Sequence, residues 1–188
     1  MLAENYAFAK VPQEMRKIYS SGEIGKILYA EGEYIHSMPS DTFNTLAKGE
    51  HHWRNIMPAT YYCTHAMSPL MYATNTVPVS VNAQVIAHDE YLKGSMRKAD
   101  ALGIILCRMD NSAVFRITGW GNMGNTSIWY RLFGSNGCME TIRGEGLSSE
   151  GAIRIMHEPW NLPENTELDR TYRPEWQIEN DKASLTNH

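Results

Sequence analysis

Tyr62 and His65 stand three apart in a stretch that reads as a helix, so their side chains share one face. A phenol and an imidazole held side by side can move protons at a hydroxyl or a carbon acid. Histidine does so near neutral pH, and tyrosine does so through a lowered pKa or a relay. The same spacing also describes an aromatic pair packed beneath a loop. Tyr34 and His36, two apart on an expected strand, again point to one face, each with an apolar body and a polar tip. They suit the edge of a polar pocket or an ordinary sheet surface. Arg54 carries five donors in a fixed fork, suited to gripping oxygens, or it is a loop charge. Trp53 beside it offers a flat face for stacking, or an anchor for the loop. Glu4 read alone is a solvated acid. His36, His51, His52 and His65 lack the i, i+4 spacing of a helical metal site, and no acidic residue stands at a telling distance, so no metal is expected.

The elements that must position these groups follow from pattern and punctuation. Met1 to Phe8 reads as a short strand. Val11 to Ser21 reads as a helix, with Pro12 in its first turn and Gly22 at its stop. Alternation over Ile24 to His36 predicts a strand. Ser37 to Met57 has no period and is expected to be a long loop, of the kind that often carries function. Pro58 to Asn75 predicts a helix, interrupted at Pro69; there the proline removes the bond to the His65 carbonyl. Met67, Leu70 and Met71 form a separate, core-like face. From Val77 the signal is strand: Val77 to Ala87, Ala101 to Met109 and Ala113 to Gly119 about an Asp110-Asn111 turn. Ser127 to Phe133 and Cys138 to Ile142 follow, about Ser135-Asn136-Gly137, an Asn-Gly hairpin signal. Ala152 to Met156 adds a further strand. The order predicts an α+β domain over 1–159, with an open, antiparallel or mixed sheet. Residues 160–188 are expected to form a polar, irregular tail of the same domain.

Composition narrows the classes. The 188 residues are 43% hydrophobic and 20% charged, ordinary for a soluble globular domain. A net charge of −4, from 17 basic and 21 acidic residues, gives no reason to expect nucleic acid or a membrane surface as partner. The longest apolar stretch, near Ala101 to Cys107, is too short to span a bilayer. Cys63, Cys107 and Cys138 are scattered and odd in number, which suggests a reducing compartment, with the cytoplasm as default. Gly119-Trp-Gly-Asn-Met-Gly124 fits the dinucleotide pattern G-x-G-x-x-G. That pattern needs a following helix, and Ser127 to Phe133 reads as a strand, so a glycine-rich hairpin connection is expected.

Longer segments carry a resemblance. Glu4-Asn5, Ser21-Gly-Glu-Ile-Gly-Lys-Ile27 and Glu31-Gly-Glu-Tyr-Ile-His36 resemble the entry into the C-terminal domain of the Gfo/Idh/MocA oxidoreductases. His52-Trp53-Arg54 and Tyr62-Cys-Thr-His-Ala-Met-Ser-Pro69 are similar to the branch that includes NAD-dependent glycosidases such as α-N-acetylgalactosaminidase. The resemblance runs from Met1 to about Val85 and is loose beyond. It implies an open, largely antiparallel sheet with helices on one face, a substrate-binding domain without the Rossmann domain that precedes it in the family. NAD or NADP would then be held in the full-length enzyme, with no cofactor expected to bind this chain alone. Both ends would be truncated: the family's upstream Glu-Lys-Pro motif and the branch's downstream Gly-His-Gly-Gly segment are missing from the 188 residues.

The resemblance also implies roles. His65 and Tyr62 would be catalytic, and Glu4, Tyr34, His36, Trp53 and Arg54 would line a sugar site. Glu4 aligns with a carboxylate placed near the sugar, and Arg54 with an arginine that binds substrate oxygens. The expected activity is oxidation or reduction of a sugar or polyol by hydride transfer, with His65 and Tyr62 moving the proton. The alternatives are a glycosidase that uses NAD in oxidation and elimination, and a non-catalytic dimerisation fragment. Self-association is expected through the uncovered sheet face, supplied by Trp120, Trp129 and Phe133.

Overall fold

The computed structural model describes residues 4–88, 94–121, 124–144 and 151–175. Helix α1, Lys10–Ser20, buries Val11, Met15 and Ile18, a single stripe at helical spacing. Pro12 lies in its first turn, and Gly22, at φ 81°, turns the chain out of it. Strand β1, Ile27–Ile35, crosses the middle of the molecule. The expected loop after it holds two short helices, α2 at Ser40–Leu46 and α3 at Trp53–Ile56. A 3-10 turn, Ala59–Cys63, leads into α4, Thr64–Thr74. Asn75 ends α4 in the left-handed conformation, its N–H bonded to the Met71 carbonyl.

Strands β2 (Pro78–Ile86), β3 (Leu102–Met109), β4 (Val114–Gly119), β5 (Ser127–Gly134), β6 (Cys138–Thr141), β7 (Ile153–Met156) and β8 (Asp169–Tyr172) complete one sheet. Its order is β2-β3-β4-β1-β5-β6-β7-β8. The β1–β4 pair is parallel, and the other pairs are antiparallel. This is the open mixed sheet of the expected α+β class. Both hairpins form where Asp110-Asn111 and Asn136-Gly137 place them.

Three expectations change. The N-terminal segment is no strand over its described part, because Tyr6–Phe8 form a 3-10 turn. The tail is not wholly irregular: Asp169–Tyr172 pair with β7 and extend the sheet past residue 159. The strand expected after the glycine-rich stretch is present as β5, but the connection is no hairpin, because β4 and β5 each pair with β1 and not with each other.

Helices α1 and α4 pack together on one face of the sheet, over Ala30, Phe115, Ile117, Tyr130, Leu132, Ile153 and Ile155, all buried. Gly32 marks the tightest approach. A Cβ there would lie 2.1 Å from the Ala66 carbonyl oxygen, so only glycine lets the backbone of α4 rest on β1. The opposite face carries Glu31, Glu33, Trp129, Arg131 and Phe133. It is laced by Arg143–Glu33 at 3.0 Å, Arg131–Glu140 at 3.5 Å and Arg116–Glu31. Arg143 lies 4.0 Å from the Trp129 ring centre and helps to cover it. Trp120 does not belong to this face. It is buried against Phe43 and Tyr62 under the loop helices.

Candidate active site

The site is built around the first turn of α4. An ordinary helix would satisfy the His65 carbonyl with the N–H of residue 69, but Pro69 has none. The Tyr130 hydroxyl, rising from β5, donates to that carbonyl at 2.6 Å. Tyr130 is wholly buried, and burial, followed by the nearby Tyr6, Tyr34 and Glu4, raises its phenol well above the ordinary range. It therefore stays a donor. The backbone of His65 is thus fixed from the sheet by Tyr130, one residue from the contact that Gly32 permits.

The His65 ring is held as closely as its backbone. Its Nδ1 lies 2.7 and 2.8 Å from the two carboxylate oxygens of Glu4, 61 residues earlier. Glu4 Oε1 also accepts from the Tyr6 backbone N–H at 3.0 Å. The Tyr6 ring stacks on the imidazole at 4.5 Å, while Tyr34 and Tyr62 meet it edge-on, each at 4.8 Å. The Tyr6 and Tyr34 hydroxyls are 3.5 Å apart. The structure therefore brings Glu4, Tyr34, Tyr62 and His65 together, although Tyr62 lies in the 3-10 turn rather than on the helix. His36 stacks on Tyr34 at 5.8 Å, at the margin of the cluster.

Desolvation raises the Tyr62 phenol, while the Arg54 guanidinium opposes the rise. Arg54 is thus close enough to act on Tyr62 electrostatically, yet its guanidinium lies over Trp53 at 4.4 Å. Trp53 itself is half exposed and stands outside the cluster. At Tyr34 burial, followed by the hydroxyl of Tyr6 and the nearby Tyr62 and Glu4, pushes the phenol far above its ordinary value. At neutral pH both phenols are donors, and the acceptors of the cluster are the imidazole and the Glu4 carboxylate.

Two residues that carry the site have no periodic signal in the sequence. Tyr6 lies in a segment read as strand. Arg97 lies in a stretch without pattern, and its buried guanidinium donates to the carbonyls of Arg54, Met57 and Asp100 and covers Trp120 at 4.2 Å. It fixes the loop that carries Arg54. Desolvation brings its pKa down to about 10, although Asp100 works against the fall. A small pocket beside His36, lined by Met38, Phe43, Arg97 and Trp120, does not include Glu4, Tyr62 or His65. Burial pushes the Cys63 thiol up to about 12, and all three cysteines are free and buried, so none is a ready nucleophile. Among the described residues there is no group of three or more His, Cys, Asp and Glu side chains able to hold a metal ion. No helix of the described residues is long and apolar enough to cross a membrane.

The fold is thus an open mixed sheet with helices on one face, and a carboxylate–imidazole–phenol cluster stands at the start of one of those helices. Residues 13–140 match the family model of the GFO/IDH/MocA C-terminal domain, and the chain belongs to that family. Among solved structures it is similar to an aldose–aldose oxidoreductase from Caulobacter crescentus complexed with glycerol, at 15% identity and TM-score 0.64, covering 96% of this chain and 49% of that one. It is similar to levoglucosan dehydrogenase in complex with NADH and levoglucosan, at 19% and 0.65, covering 90% and 46%. An inositol dehydrogenase homologue from Azotobacter vinelandii, complexed with NADH and myo-inositol, matches at 12% and 0.61, covering 93% and 42%. Identities this low establish the fold alone. The chain spans about half the length of these solved structures. No curated protein matches the sequence significantly.

Proposed function

We propose that this chain is the substrate-holding domain of an NAD(P)-dependent oxidoreductase acting on a sugar or polyol. The observation that carries the reading is the His65 cluster: one imidazole, oriented by a carboxylate, beside phenols that stay protonated. Oxidising an alcohol removes a hydride and a proton, and the nicotinamide would take the hydride. The described residues form no strand–glycine loop–helix cradle, and what they supply is the proton half of the reaction. His65 takes the hydroxyl proton in the forward direction and returns it in reverse. Tyr62 donates a hydrogen bond to a neighbouring oxygen and holds the substrate in register with His65. Arg54, Tyr34, His36 and Trp53 line the approach, where the donors of Arg54 meet hydroxyls and the rings offer flat faces. The elimination chemistry of a glycosidase would call on the same imidazole, and no feature of the described residues favours it. Self-association through the open sheet face, around Trp129 and Phe133, belongs to the same reading, as does a chain that binds no dinucleotide by itself.

The test is a titration of the ¹⁵N-labelled chain with levoglucosan, myo-inositol and simple aldoses. Binding should move the resonances of Tyr34, His36, Arg54, Tyr62 and His65. Shifts confined to the charged sheet face, or no binding by any of them, would count against the reading.

A further inference from the structure

We propose that Glu4 is a positioning residue, which fixes the proton of His65 on Nδ1 and leaves Nε2 bare as the acceptor. The resemblance would place Glu4 against the sugar, but the geometry points to a different task. Both of its carboxylate oxygens are directed at one ring nitrogen, at 2.7 and 2.8 Å. An ionised carboxylate only accepts, so the atom between them must be a donor, and Nδ1 carries the hydrogen. One oxygen is tied in addition to the Tyr6 amide at 3.0 Å, which gives the carboxylate little freedom to turn toward a ligand. Its side chain is 15% exposed and that of His65 is 18%. Tyr6 stacked on the imidazole and Tyr34 against its edge oppose a ring flip that would exchange the two nitrogens. Among the described residues none hydrogen-bonds Nε2. When Nε2 gains a proton, the imidazolium faces a carboxylate already in contact, and the pair becomes charge-assisted without rearrangement.

The tautomer assignment stands on this geometry alone; its use in catalysis rests on the proposed function. The experiment is a long-range ¹H–¹⁵N correlation spectrum of the imidazoles in the 188-residue chain and in Glu4→Ala, recorded where His65 is neutral. The expected result is a protonated Nδ1 and an unprotonated Nε2 in the native chain, with the proton redistributed toward Nε2 in Glu4→Ala. A native His65 protonated on Nε2 overturns the proposal without any variant. A Glu4→Ala chain that keeps its fold and an unchanged tautomer also overturns it. In parallel, levoglucosan and myo-inositol are titrated into both chains. Affinity within about 3-fold supports positioning, because contact with substrate through a charged hydrogen bond is worth about 10-fold or more. A larger loss makes Glu4 a substrate ligand. A chain that binds neither probe counts against the proposed function and leaves the tautomer to decide the role of Glu4.

Discussion

Replacing Tyr130 by phenylalanine removes one oxygen from a wholly buried ring and leaves the packing otherwise intact. The cost is therefore set by the His65 carbonyl, which loses its 2.6 Å donor and has no backbone N–H to take over, since residue 69 is proline. A buried polar group stripped of its partner costs about 1–3 kcal/mol. For a domain of this size, about 2 kcal/mol corresponds to a fall in Tm of roughly 4–8 °C. Urea denaturation is the assay, with a lower midpoint and an unchanged slope as the expected result. The reasoning is specific enough for a double-mutant cycle. Pro69→Ala restores the helical donor, so Tyr130→Phe should cost less in that background, with a coupling of about 1 kcal/mol. An equal cost in both backgrounds, or no cost in either, would refute the idea that the sheet hydroxyl replaces the missing helical bond.

Gly32→Ala puts a Cβ where the Ala66 carbonyl oxygen already lies 2.1 Å away; the overpacked chain should lose at least about 1–3 kcal/mol in urea and should shift the His65 resonances. Burial would raise the Glu23 carboxyl, but Arg170 and His157 outweigh it and hold the group below its ordinary 4.5. Its contribution to stability is therefore full above that value and is lost as pH falls through the folded one. Urea midpoints from neutral to acid pH should fall less steeply below pH 4.5 in Glu23→Gln. Arg54→Ala should weaken sugar binding about 10-fold or more, read by titration calorimetry, while the pairing of Glu4 with His65 stays in place.

Much of the fold was legible because its strongest signals are local. Pro12 and Gly22 bracket α1, and Asn136-Gly137 marks a hairpin without help from distant residues. The two short helices between Pro39 and Met57 were not legible. Runs of seven and four residues are too short to show a period or to form alone; Asn55, buried within α3, donates to the Ala47 and Gly49 backbone carbonyls, and Arg97 holds α3 from outside. Strand β8 is not legible, because Asp169-Arg-Thr-Tyr172 lies at the end of the sheet and has little apolar alternation. The membership of the site was partly legible through resemblance, but its internal bonds were not. Glu4 meets His65 across 61 residues, and Tyr130 reaches the same residue across 65. Trp120 was expected on the sheet face, because alternation cannot show that the chain leaves the sheet after Gly119.

The most direct test joins this chain to a nucleotide-binding domain and follows NADH absorbance over a series of aldoses and polyols. The account predicts turnover of at least one of them. His65→Ala should lower kcat about 10²–10⁴-fold with little change in KM, because it removes a proton acceptor rather than a binding contact. Turnover that survives His65→Ala unchanged, or a loss expressed wholly in KM, would contradict it.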